Sequence, residues 1–160
     1  MAETNSLLNC RTRKGTGGSN PPLTANYMTN NNIRTMKNFF LGIDHPAVAV
    51  KDVEKMTKWY CDVLGYEVYA RTEKPVYIIK APDGSFIEIM PEDGSPRQQR
   101  NVCTPGWSHL ALRVSDMDKA IAALDKHNVQ WTGEEFEAVG GGRIRNFSDP
   151  EGNMVQIVQR

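Results

Sequence analysis

Apolar and polar positions alternate with a two-residue period from residue 43 to residue 50. Ile43, His45, Ala47 and Ala49 fall on one face of a strand, and Asp44, Pro46, Val48 and Val50 fall on the other. From Asp52 the period becomes helical. Val53, Met56, Tyr60, Val63 and Leu64 recur on one side, with Asp52 placed as N-cap and Gly65 as a left-handed C-cap. GYEVYAR and PVYIIKA then read as two strands. Pro82-Asp83-Gly84 is a turn, because proline presets one dihedral and glycine takes the positive one. The next strand, residues 85 to 90, sets Phe86, Glu88 and Met90 opposite Ile87 and Ile89.

The same succession returns further along. His109, Ala111 and Arg113 share one strand face, and Leu110, Leu112 and Val114 share the other. Ser115 or Asp116 caps a helix with Met117, Ala120, Ile121 and Leu124 on its apolar side. NVQWTGEEF reads as a strand and turn, residues 139–142 as a loop, and residues 143–147 as a strand. Asp149-Pro150-Glu151-Gly152 repeats the earlier turn, and the last strand sets Met154, Gln156 and Val158 opposite Val155 and Ile157. His45 and His109 lie 64 positions apart, and Glu88 and Gln156 lie 68 apart. Such near-equal offsets mark an internal duplication.

The expected fold class is α+β: two tandem βαβββ modules that form a cupped mixed sheet, with the helices on its convex side. Repeat 1 spans about 39–91, a polar proline-bearing linker 92–105, and repeat 2 about 106–160. Residues 1–38 are rich in Asn, Thr, Gly and Ser without an apolar period, and read as a flexible tail outside the domain. Met36 reads like a natural start, so the tail is expected to be an extension that is not native.

Composition narrows the function. The 160-residue chain has a formal net charge of zero and no long basic block, which argues against a nucleic-acid or membrane partner. No apolar run approaches a bilayer span, and no secretory signal opens the chain. Cys10, Cys61 and Cys103 show no CxxC spacing, so three unpaired thiols in a reducing, cytoplasmic setting are expected.

The apolar faces Val48/Val50, Ile87/Ile89, Leu110/Leu112 and Val155/Ile157 belong under the helices. Burying one such side chain is worth about 1.5–3 kcal/mol, which decides how the sheets turn. His45, Glu88, His109 and Gln156 are thereby forced onto the concave side, with Ala47 and Ala111 leaving room beside them. Two imidazoles with a carboxylate and an amide suit a divalent metal: zinc, nickel, cobalt, manganese or ferrous iron. Glu88 stands mid-strand among apolar residues, where an unpaired charge is costly and a cation would offset it. The competing reading pairs Glu88 with Arg71, Arg113 or Arg143 in a metal-free pocket. Arg113 and Arg143 are the candidate substrate-binding cations, and a structural ion pair is the alternative for Arg113. Val139 to Arg143, with its three glycines, reads as a connector, a mobile loop over the pocket or an anion-binding loop, His127 as a surface or helix-end residue, and Trp59 and Tyr60 as packing residues.

The paired HxxxxV strand, the WYxxxLG helix and the DxGxx[EQ] strand resemble the vicinal oxygen chelate superfamily. That superfamily comprises glyoxalase I, methylmalonyl-CoA epimerase, extradiol dioxygenases, and fosfomycin- and bleomycin-resistance proteins. The resemblance covers about residues 39–160. It implies that His45, Glu88, His109 and Gln156 are the metal ligands, with zinc or nickel foremost. It further implies a homodimer, a small oxygen-bearing substrate, and a lyase or isomerase working by metal chelation and proton transfer. Gln156 stands where glyoxalase I usually has a glutamate base. An amide cannot take a proton, which leaves Glu88 as the catalytic base or a metal-bound hydroxide in that role. The arginine and asparagine pattern that holds glutathione in glyoxalase I has no match in this chain. A ferrous extradiol-type dioxygenase using His45, His109 and Glu88 is one alternative. A metal-free binding protein of the bleomycin-resistance kind is the other.

Overall fold

The computed structural model describes residues 41–160. The first module contains β1 (Ala47–Val50), α1 (Val53–Leu64), β2 (Glu67–Arg71), β3 (Tyr77–Lys80) and β4 (Phe86–Pro91). The second contains β5 (Leu110–Arg113), α2 (Met117–Lys126), β6 (Gln130–Trp131), β7 (Phe136–Glu137), β8 (Arg143–Ser148) and β9 (Met154–Gln159). Each module builds its own mixed sheet, in the orders β1-β4-β3-β2 and β5-β9-β8-β6, with β7 also on β8. The first strand of each module runs parallel to its last, and the other pairs are antiparallel. The βαβββ duplication is therefore present in the strand pairing, and the only addition is the split of the second strand of repeat 2 into β6 and β7.

Local chemistry sets the element ends. Asp52 accepts from the Lys55 amide and Gly65 caps α1 at φ 72°. Of the two candidate caps for α2, Asp116 is the one used, and it accepts from the Lys119 amide. Both turns close alike: Gly84 N–H donates to Ala81 and Gly152 N–H donates to Asp149, each at 2.9 Å. β1 is shorter than the alternation predicts, since it begins at Ala47 and leaves His45 just before the strand. Pro46 has no N–H to give to the ladder, although its carbonyl still accepts from Glu88 N–H at 3.0 Å.

The apolar faces lie where the alternation puts them. Val50, Ile79, Ile87 and Ile89 are buried with Met56 and Tyr60 of α1. Phe147, Val155 and Ile157 are buried with Met117 and Leu124 of α2. One helix serves both cores, because Trp59, Val63 and Leu64 of α1 also pack against the second cluster. Polar contacts join the modules as well. Tyr60 donates to buried Asp149 at 3.1 Å, and Glu151 accepts from the backbone amides of Lys51 and Asp52 at the start of α1. Cys61 is a free thiol, whereas Cys103 is disulfide-bonded, so the expectation of unpaired thiols fails at Cys103. The tail expected over residues 1–38, with Cys10 in it, lies outside the described residues.

The three-glycine loop is a tight connector between β7 and β8. Gly140, Gly141 and Gly142 all have positive φ. A Cβ on Gly142 would sit 2.1 Å from the Gln159 carbonyl oxygen of neighbouring β9. The obstacle is backbone and cannot swing aside. Positive φ alone costs a side chain about 1–2 kcal/mol. With the overlap added, Gly142→Ala is expected to cost about 3 kcal/mol and to lower Tm by roughly 10 °C in thermal denaturation. An unchanged Tm would show that β9 yields at no cost.

Candidate functional site

In the first module the parallel pairing of β1 with β4 sets Ala47 beside Glu88. His45, two residues earlier, reaches the carboxylate: its Nε2 lies 3.0 Å from Glu88 Oε2, with the side chains 32% and 25% exposed. The two residues form one half-site on the face away from α1.

The second module repeats the arrangement. β5 pairs with β9 so that Ala111 lies beside Gln156. His109 again precedes the strand, exposed, with Nδ1 3.1 Å from Ser108 Oγ. Gln156 is only 7% exposed, and its Nε2 donates to Asn146 Oδ1 at 2.9 Å. Asn146, on β8, is itself 5% exposed. The residue that faces Glu88 in the same way in the first module is Ile78, so the two modules differ in what stands opposite Glu88 and Gln156.

The structure thus brings His45 to Glu88 and Gln156 to Asn146. Among the described residues, no three His, Cys, Asp or Glu side chains converge on one point. The strand that follows each histidine, β1 or β5, is the outermost strand of its sheet. Each half-site therefore lies at a sheet margin, where another strand can approach.

The two candidate cations part company. Arg113 is exposed on the same strand face as His109 and lies close to Asp83. The Asp83 carboxyl is held below the usual range chiefly by hydrogen bonds from Ser85, with a smaller contribution from Arg113. Arg143 does not face Gln156. It shares the α2-side face of β8 with Phe147, and its guanidinium is gripped by Glu135 at 2.6 and 2.8 Å and by Asp118 of α2 at 2.7 Å. Those hydrogen bonds lower the Glu135 carboxyl and raise the Arg143 guanidinium. Arg143 is thus held in a half-exposed ion-pair network with Glu135 and Asp118.

Two features escape a reading of the chain alone. Asn146 is one; counting outward from the Asp149–Gly152 turn pairs Ser148 with Met154 and then Asn146 with Gln156, so the turn was the available signal. The other is a cation-aromatic cluster beyond Glu88. Lys80 pairs with Phe86 on the face that carries Glu88, and Tyr69 lies 5.0 Å from Phe86, ring centre to ring centre. Lys80 Nζ is 5.9 Å from both rings. Sequence spacing shows neither ring contact, because a bulge in β2 between Val68 and Ala70 shifts the local register.

Comparison with known proteins agrees with this architecture. YaeR of Escherichia coli (strain K12) is 28% identical over 123 residues, which cover 74% of this chain and 95% of YaeR. The lactoylglutathione lyase structure from Agrobacterium tumefaciens matches with a TM-score of 0.57 at 18% identity, covering 74% of this chain and 92% of that one. The genomically encoded fosfomycin resistance protein FosX from Listeria monocytogenes, complexed with Mn(II) and sulfate ion, matches with a TM-score of 0.59 at 19% identity. That match covers 75% of this chain and 90% of FosX. No described helix is long and apolar enough to cross a membrane. The family model that matches residues 42–157 takes in both half-sites, and the chain belongs to the Glyoxalase/Bleomycin resistance protein/Dioxygenase superfamily.

Proposed function

We propose that this chain is a metal-dependent lyase or isomerase of the glyoxalase kind, acting on a small oxygen-bearing substrate at a site shared between two copies of the chain. The observation that carries the reading is the pair of equivalent half-sites, each at the margin of its own sheet and each bearing one histidine and one oxygen donor. Apposing β1 of one copy with β5 of another would unite His45 and Glu88 with His109 and Gln156. Two-fold symmetry would form two such sites per pair of chains.

The donor set fits a divalent cation. His45 and Glu88 already meet at 3.0 Å, a separation suited to sharing a proton or a cation. Gln156 engages its nitrogen with Asn146, which leaves its oxygen for the site. His109 Nδ1 is near Ser108 Oγ, which leaves Nε2 for a ligand. A metal bound by these four residues would polarise a substrate oxygen and stabilise negative charge developing on it.

Glu88 is the one carboxylate of the set and so the group that takes the substrate proton and returns it. Gln156 cannot exchange a proton and serves as a neutral donor. Arg113, on the face of His109, is placed to meet a negatively charged part of the substrate. The small Ala47 and Ala111 keep the floor open beside the histidines.

Elemental mass spectrometry of the purified chain tests the reading, with a His45→Ala/His109→Ala double variant alongside. About one divalent metal per chain, lost in the double variant, is the expected result. Equal metal content in both proteins would place the metal elsewhere and defeat the proposal. Bound iron, with oxygen consumption that depends on it, would favour the dioxygenase alternative.

A further inference from the structure

We infer that Asn146 is a positioning residue for Gln156: it fixes which atom of the side-chain amide is turned into the site. The inference rests on the proposed metal site and deepens it. The terminal torsion of a glutamine is broad and nearly two-fold, so an unheld amide offers oxygen or nitrogen with similar ease. Only the oxygen can bind a cation. Asn146 Oδ1 accepts from Gln156 Nε2 at 2.9 Å, and both residues are almost fully buried. The bond is made with Gln156 Nε2 toward Asn146 and Oε1 away from it.

The first module supplies an internal comparison. The position that opposes Glu88 from the neighbouring strand is Ile78, which has no polar side-chain atom. A carboxylate has two equivalent oxygens and needs no partner to choose between them. An amide does need one, and asparagine occurs on the side of the duplication that carries the amide. The pairing of glutamate with isoleucine and of glutamine with asparagine follows from that difference.

The test is Mn(II) binding to the full chain, followed by the electron paramagnetic resonance of free Mn(II), with thermal unfolding of each variant as a check on folding. Asn146→Leu is expected to weaken Mn(II) binding about ten-fold, the usual range for loss of a group that orients a metal ligand. Asn146→Asp, which can still accept from Gln156 Nε2, is expected to bind at least as well as the parent. In a Gln156→Ala background, Asn146→Leu should change nothing, because the group it orients is gone. The inference is overturned on its own if the parent binds Mn(II) and Asn146→Leu binds it equally well. It is also overturned if Asn146→Leu weakens binding to the same degree without Gln156, since the role is then structural. A parent chain that binds neither Mn(II) nor Zn(II) nor Ni(II) overturns the metal-site reading and this inference together.

Discussion

Mixing a His45→Ala chain with a His109→Ala chain is expected to restore metal binding that neither variant has alone. The result follows from a site shared between copies. Each single variant, as a symmetric pair, has one histidine missing from both of its sites. In a mixed pair the two losses fall into the same site, where the defective halves meet. The other site joins the intact His45/Glu88 half of one chain to the intact His109/Gln156 half of the other. Random reassortment makes half of all pairs mixed, and half of the sites in those pairs whole, so metal binding recovers to about a quarter of the parent value. The measurement is metal per chain after unfolding, mixing and refolding together, compared with each variant refolded alone. A site made within one chain gives no recovery, since every chain then carries its own lesion. No recovery in a mixture shown to contain mixed pairs would rule out the shared site. The geometry favours recovery because α1 and the Tyr60–Asp149 contact hold the two modules of one chain together on the side of the apolar cores. His45 and Glu88 face away from that side.

Much of this frame could be read from the chain. The alternation of Val48 with Val50, Ile87 with Ile89, and Val155 with Ile157 identified the buried faces, because one apolar residue in two is a direct statement of which way a strand faces. Asp52, Gly65 and Asp116 act as caps because their chemistry is local. Periodicity, however, states that a face is buried and not what buries it. Trp59, Val63 and Leu64 belong to the helix of the first module and pack on the core of the second, and no spacing rule reports that. The same gap explains Arg143. Alternation backward from buried Phe147 puts Arg143 on the helix-facing side, away from Gln156. Asn146 is the converse case: a polar residue in mid-strand acquires meaning only once the register with Gln156 is known. The candidate site residues stand out because the duplication repeats their positions, whereas any assembly of them is long-range packing.

Asp149→Ala is expected to destabilise the protein by about 3–5 kcal/mol, since it leaves the buried Tyr60 hydroxyl and three part-buried N–H donors without their partner. Asp149 is 3% exposed. It accepts from Tyr60 Oη at 3.1 Å, from the backbone amides of Glu151 and Asn153 at 3.0 and 2.8 Å, and from Asn153 Nδ2 at 2.6 Å. The residue thus shapes the turn before β9 and ties it to α1 of the other module. In thermal denaturation the loss corresponds to a fall in Tm of roughly 10–20 °C. Tyr60→Phe removes one donor and leaves the turn intact, so it costs less, about 1–2 kcal/mol. The two variants also separate by pH. Burial, and next the Asp149 charge, push the Tyr60 phenol far above its ordinary value, and burial raises Tyr66 to about 12. A pKa raised in the folded state leaves stability at its full value below the unfolded tyrosine pKa, near 10. Above that pH the unfolded chain loses its phenolic protons first, and stability falls as pH rises toward the folded values. Tm measured from pH 7 to 11 should therefore drop as pH passes about 9.5, with a shallower drop in Tyr60→Phe because one of the raised phenols is gone. An Asp149→Ala protein that keeps its Tm within a few degrees would show that the modules are held by the shared apolar core alone.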